Sequence, residues 1–200
     1  MSNATSKADR TRQLIIRATA PVFNAKGFAG TSMNDLTRAT GLTKGSIYGN
    51  FDNKDAVALA AFDYNFSQMT EYMKNKILSV ENAVERLLQY PLVYSNFLHI
   101  PFLKTGCPLL NTAIEADDTH PLLREKAAAA LLFWKTAIEN QVKRGIKRKE
   151  INNSTSPVQV AVVMMSMIEG AVMQAKLSGR STDLRIAMDY LSQYINGLSR

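Results

Sequence analysis

The 200-residue sequence predicts an all-α protein of about nine helices, a three-helix N-terminal unit followed by a larger helical one. Three observations lead there. Apolar residues recur at three- and four-residue steps through nearly every segment, the spacing that gathers them on one face of a helix. Ser, Thr, Asp and Pro stand where helices would start, and Gly where they would stop. No β-branched run alternates with polar residues between hairpin turns, as a half-buried strand requires.

Taken in order, a first helix is capped by Thr5 or Ser6 and runs to about Lys26, where Gly27 supplies the stop. Leu14, Ile15, Ala18, Val22 and Phe23 form its expected buried stripe, and Pro21 removes one backbone hydrogen bond, predicting a bend. Ser32 caps a short second helix with Asp35 completing a capping box, and Gly41 ends it. Thr43 begins a third short helix reaching about Asn50. Asp52 is the expected cap of a long fourth helix, from Asn53 to about Leu78, with Asp55 three residues past the cap.

Further on, residues 81 to about 100 read as helix, kinked or divided at Pro91. Pro101, Gly106 and Pro108 mark a loop around Cys107, and Pro108 opens a short helix that places the thiol at its N-cap. Thr119 or His120 caps a helix opened by Pro121 and reaching Gly145; Ser156 and Pro157 start another that ends near Leu177, before Gly179. The last helix runs from about Thr182 to Gly197.

Composition narrows the function. Apolar residues make up 46% and charged residues 20%, enough to bury a core and against wholesale disorder. The net charge of +7 suits an anionic partner, and its distribution is uneven. Eight basic residues (Lys7, Arg10, Arg12, Arg17, Lys26, Arg38, Lys44, Lys54) face four acids (Asp9, Asp35, Asp52, Asp55) up to position 55, so positive charge is densest in the first quarter. One cysteine excludes an internal disulfide. The N-terminus has no apolar signal core, and the apolar run 158–173 is broken by Ser166, Glu169 and Gly170, which reads as too short for a membrane span. The expectation is a soluble cytoplasmic protein without membrane contact. His99 and His120 lack ligand-type spacing, so no metal site is expected.

The segment TKGSIYGNF, residues 43–51, decides the reading of the N-terminal unit. It is too short and polar for a core helix, yet follows another short helix across a tight turn, as in a helix-turn-helix. A helix entering the major groove must be held from behind and expose small, hydrogen-bonding side chains in front. Ile47 and Phe51, four residues apart, supply the buried anchors; Thr43, Lys44, Gly45 and Ser46 supply the cap, charge and close approach.

Over residues 10–60 the chain resembles the tetracycline-repressor (TetR) family of transcriptional regulators, through VFNAKGF, TS, NDLTRATGL and KGSIYGNFDNKD in fixed order. The resemblance implies a helix-turn-helix domain at 1–55 and a ligand-binding and dimerisation domain at 56–200. It implies phosphate contacts from Thr31 or Ser32, Tyr48 and Lys54, and base contacts from Thr43, Lys44, Gly45 and Ser46. Gly49 and Asn50 stand where relatives often carry aromatic or His residues, so Asn50 is expected to take a base or phosphate itself. The implied function is a homodimeric, non-enzymatic repressor of a palindromic double-stranded DNA operator, without cofactor, released by a small apolar or aromatic effector.

In the larger part, Met164, Met167, Ile168, Ala171, Val172, Leu184, Met188, Leu191 and Ile195 form apolar stripes on the last two helices, read as the dimer seam. Phe62, Phe66, Met69, Tyr94, Phe97, Cys107, Trp134 and Met164 are the candidate effector-pocket lining. Glu115, Asp117 and Asp118 read as solvated at a helix end, as does the basic run 143–149. Cys107 reads as a buried, inert thiol; an alternative uses it as a redox or electrophile sensor, its thiolate favoured by the helix N-terminus and Lys104 nearby, with no pocket ligand.

Overall fold

The computed structural model describes residues 6–200 and contains nine α-helices there: α1 (Lys7–Lys26), α2 (Met33–Thr40), α3 (Lys44–Tyr48), α4 (Lys54–Leu78), α5 (Ala83–Ser95), α6 (Pro108–Ala116), α7 (Pro121–Lys147), α8 (Pro157–Ser178) and α9 (Thr182–Asn196). The all-α class is as expected. Thr5, the alternative first cap, lies outside the described residues; Ser6 caps α1 in a full capping box with Asp9.

Two cores divide the chain, and α4 belongs to both. The first packs Ile15, Ile16, Ala20 and Phe23 of α1 against Leu36, Ile47, Phe51 and the start of α4 through Ala61. The second begins at Phe62 and joins α4 to α5, α6, α7, α8 and α9. Because Val57, Ala58 and Ala61 fill the first core, it extends past the expected division at 55/56. Asn65 lies one turn on and its amide donates to the Ala20 carbonyl at 2.8 Å, tying α4 to α1.

Several local expectations are corrected. Leu14 is 48% exposed, and the buried stripe of α1 is Ile15, Ile16, Thr19, Ala20 and Phe23. The apolar steps admit either choice; packing on α4 selects this one. Asn53, not Asp52, caps α4, its Oδ1 accepting from the Ala56 amide at 2.8 Å. The third helix stops at Tyr48, leaving Asn50 beyond it. Helix α5 continues through a buried Pro91 but ends at Ser95; two short 3-10 turns, Phe97–His99 and Pro101–Leu103, follow. Helix α7 passes Gly145 to reach Lys147.

By length and composition alone α8 is apolar enough to cross a bilayer, with an 18-residue stretch of mean hydropathy 1.5, a test that the core helix of a globular protein passes equally. Its apolarity has a different use here. Met164, Ile168, Ala171 and Val172 are buried against the other helices of the second core. The same burial corrects the dimer-seam reading. Met164, Ile168, Ala171, Val172, Leu184, Met188, Leu191 and Ile195 are all consumed within the subunit, and Met167 is half-buried against the same core. The apolar residues these helices leave exposed are Val158, Val162, Met173 and Leu177 on α8, and Ile186 and Tyr190 on α9.

Candidate nucleic-acid interface and effector cleft

The short α3 exists because its two ends are specified. Gly41 stops α2 at φ 70°, a left-handed conformation that glycine takes without steric cost. Two residues later Thr43 caps α3, its Oγ1 accepting from the Ser46 amide at 3.1 Å. Ile47 is fully buried and Phe51 nearly so, as the anchors were expected to be. The outward face then presents Thr43, Lys44 and Gly45, with Tyr48 38% exposed and the Lys44 ammonium 5.7 Å from its ring centre. Ser46 and Asn50 are half-buried, and the Asn50 amide donates to the Ser46 carbonyl at 2.9 Å.

Not all of the candidate phosphate contacts face outward. Thr31 is buried and its hydroxyl donates to the Gly27 carbonyl at 2.5 Å, so it shapes the turn instead of reaching DNA. Ser32 is exposed, but its hydroxyl donates to Asp35 at 2.7 Å. The Lys54 ammonium donates to the carbonyls of Phe28 and Thr31 at 2.8 and 2.9 Å and sits 4.1 Å from the Phe28 ring centre. It braces the turn before α2. Lys26 bonds Asp35 at 2.6 Å; that bond, before the Ser32 bonds, holds the Asp35 carboxyl well below the usual carboxylate range.

Arg12 was not among the sequence candidates. Its guanidinium lies 3.9 Å from the Phe51 ring centre and donates to the Asn50 carbonyl at 2.5 Å, fastening α1 to the end of the reading helix. A pairing across 38 residues leaves no local signal in the sequence.

The turn 27–31 is also held from the other unit. Glu115 of α6 accepts from the Phe28 and Ala29 amides, each at 2.7 Å, so it is not the solvated end-of-helix acid expected. Gly27 makes that grip possible: at φ 70° it favours glycine, and a Cβ there would collide with the Glu115 carboxylate. On the same helix Asn111 donates to the Asn24 carbonyl at 3.0 Å and accepts from Lys176 at 2.6 Å. Lys54 thus holds the carbonyls of the turn while Glu115 holds its amides.

The other side of α6 lines a cleft of about 390 Å³ with α7 and α8. Its walls are mostly apolar (Leu109, Leu110, Ala113, Ala127, Leu131, Met165), with Asp117, Arg124 and Glu169 as its charged members. None of the eight expected pocket residues lines it. Phe62, Met69, Tyr94, Phe97, Cys107, Trp134 and Met164 are core, and Phe66 is half-buried against that core. Such residues looked alike in the sequence because pocket and core draw on the same side chains.

Cys107 caps α6 in backbone terms but is completely buried, donating to Glu169 Oε1 at 3.2 Å with the Tyr94 hydroxyl 4.0 Å away. Burial first, then the Glu169 carboxyl, push the thiol pKa up, outweighing the helix-start amides of Leu109 and Leu110 that pull it down. Lys104 is exposed. The stabilised thiolate that the sensor alternative needs is therefore disfavoured, and Cys107 is the buried thiol of the other reading. His120 caps α7 by accepting from the Leu123 amide at 3.2 Å and packs edge-on to Phe28. The basic run at 143–149 closes a helix of 27 residues, about 40 Å from the His120 end that abuts the first unit. It cannot extend the α3 surface.

Residues 15–61 match the family model for the bacterial regulatory proteins of the tetR family, and residues 83–191 match the tetracyclin repressor-like C-terminal domain. The chain belongs to the TetR family. A TetR-family regulator from Cytophaga hutchinsonii is 45% identical and superposes with a TM-score of 0.91, covering 98% of each chain. A TetR regulator from Chloroflexus aurantiacus is 37% identical, with a TM-score of 0.91 over 97% of this chain and 98% of that one. The transcriptional regulator LmrA of Bacillus subtilis is 25% identical over 179 residues, 87% of this chain and 90% of its own. This TetR protein is accordingly a DNA-binding transcriptional regulator with a helical C-terminal domain of the ligand-binding type.

Proposed function

We propose that this TetR regulator binds a palindromic operator as a homodimer, with α3 in the major groove, and leaves it when a small apolar or aromatic molecule enters the cleft between α6, α7 and α8. The observation that carries the reading is the pinned α3. Ile47 and Phe51 fix it from behind, Arg12 fastens its end, and Thr43, Lys44, Gly45 and Tyr48 are left outward. Lys44 and the other exposed cations of the first unit supply affinity that falls with salt, and the α3 face supplies sequence choice.

The proposed dimer surface differs from the one read in the sequence. Val158, Val162, Met173 and Leu177 follow one another along a stripe of α8 opposite its buried face, and Leu177 is 82% exposed. With Ile186 and Tyr190 of α9 they offer an apolar surface that a two-fold partner covers. Two-fold symmetry sets half-sites about 34 Å apart or a multiple of that.

Release follows from the two sides of α6. An effector against Leu109, Leu110 and Ala113 displaces α6, and Asn111 and Glu115 on the same helix carry that displacement to the turn before α2. Tilting of α4, which begins at the Lys54 brace, then changes the separation of the two reading heads. The effector acts only by binding the released arrangement more tightly. Selection of binding sites from random duplexes, followed by ligand titration against the selected site, tests this. A ligand that fills the cleft and leaves operator affinity unchanged refutes the release mechanism.

A further inference from the structure

Asn24 stands on the last turn of α1, is 7% exposed, and directs its side chain wholly to the other unit. Its amide donates to Thr105 Oγ1 at 2.7 Å and to the Gly106 carbonyl at 3.1 Å, in the loop before α6. From α6 the Asn111 amide donates to the Asn24 carbonyl and Oδ1 at 3.0 and 3.1 Å, and to the Thr105 carbonyl at 3.0 Å. Lys176 closes the loop from its far side: Gly106 has φ 106°, and a Cβ there would lie 2.7 Å from the Lys176 Cδ. One turn earlier on α1, the Ala20 carbonyl is taken by Asn65 of α4. The end of α1 is thus bracketed from two directions, by α4 and by α6 with its preceding loop.

A buried amide bonded in this way adds little net stability, because its hydrogen bonds replace bonds to water. What directional bonds impose is orientation. One helix shared by both cores, α4, does not by itself fix the rotation of one unit about it; a clamp set off its axis does. The rest of α1 turns that orientation into distance. Arg12 lies about 18 Å along the helix axis from Asn24 and holds the end of α3 through the Asn50 carbonyl and the Phe51 ring. A tilt of α1 by about 10° relative to the clamp therefore moves the α3 end by about 3 Å, close to the roughly 3.4 Å step of one base pair. Two-fold symmetry doubles the change in head separation. We propose that Asn24 is a positioning residue for operator selection: locked to Thr105, Gly106 and Asn111, it fixes the separation of the two reading heads and makes the regulator choose one half-site spacing, without touching DNA itself. The inference rests on the operator reading above and is tested separately from it.

The intact protein is given a duplex selected from random sequence, versions with the centre lengthened or shortened by one base pair, and a duplex carrying a single half-site. Affinities are read by fluorescence anisotropy at one salt concentration. Wild type should prefer the selected spacing over its neighbours by roughly tenfold or more. Asn24→Leu keeps the volume and removes the side-chain bonds of the clamp. Asn111→Asp keeps the acceptor for Lys176 and removes the donor to Asn24 and Thr105. Each should shrink the spacing preference to within about threefold, with half-site affinity within about twofold of wild type. Either folded variant keeping the full preference overturns the assignment, as does a wild type that binds every spacing alike. A preference that falls only as half-site affinity falls, or loss of the fold in both variants, overturns it too, since the clamp would then be merely structural. Failure to select any duplex defeats the operator reading and this inference with it; a selected operator whose spacing preference survives in both variants defeats this inference alone.

Discussion

The burial of Glu169 makes a quantitative prediction about pH. Its Oε1 accepts the Cys107 thiol at 3.2 Å, its Oε2 is unpartnered, and desolvation pushes its pKa up to about 7 from an ordinary 4.5, while the thiol bond pulls modestly the other way. Between those two values the folded protein keeps a proton that the unfolded chain releases. Stability from this group is therefore full below about pH 4.5 and is lost as pH rises through 7. At about 1.4 kcal/mol per pKa unit, the loss is roughly 3 kcal/mol over the whole window, most of it between pH 5 and 8. Glu169→Gln isolates the effect: the amide keeps a carbonyl for the thiol and cannot ionise. Urea unfolding of both proteins at pH 5 and pH 8 should show wild type losing roughly 2–3 kcal/mol relative to the variant. With ordinary urea slopes that is a relative midpoint shift of about 1 M. Titrating groups that do not interact with Glu169 cancel in the comparison, and the two that do, Cys107 and Tyr94, have pKa values raised first by burial. Parallel stability-pH profiles would refute the buried, unpartnered carboxyl.

Three further outcomes follow from the same geometry. Glu115→Gln removes the charge that holds the Phe28 and Ala29 amides, so those two amides should exchange with solvent roughly tenfold or more faster by NMR, while the α7 core amides stay unchanged; equal protection would show that the grip is not made. Cys107 should resist iodoacetamide in the native protein at pH 8 and react readily in urea, because burial raises its pKa; native labelling at the rate of a free thiol contradicts this. Ile47→Ala empties a fully buried site and should cost about 2–4 kcal/mol in urea unfolding, with operator binding lost along with the support of α3; full retention of binding would mean that α3 is held by something else.

Local signals carried most of the fold. Caps at Ser6, Ser32, Thr43, Ser156 and His120 and the left-handed stops at Gly41 and Gly179 stand where the sequence placed them, because capping is decided within four residues. The anchors Ile47 and Phe51 were legible for the same reason. What stayed hidden depends on partners far along the chain. Glu115 meets residue 28 across 87 positions, and Lys54 meets the same residue across 26. No periodicity reveals that an acid and a lysine close on one turn. The α8 and α9 stripes were legible as apolar, but apolarity does not say whether a residue's own subunit or a partner covers it. Cys107 was legible as a helix cap and as a buried thiol, but the pull of the helix start on its charge is outweighed by complete burial and by Glu169, 62 residues on, which the sequence does not place beside it.

The central claim, that paired subunits present α3 to duplex DNA, is tested most directly by measuring the mass of the protein alone and on a selected inverted-repeat duplex across a salt series. The account predicts two chains in both states, strong preference for the repeat over a scrambled duplex, and affinity that drops steeply as salt rises. A single chain in solution, or equal indifference to every duplex at low salt, would contradict it.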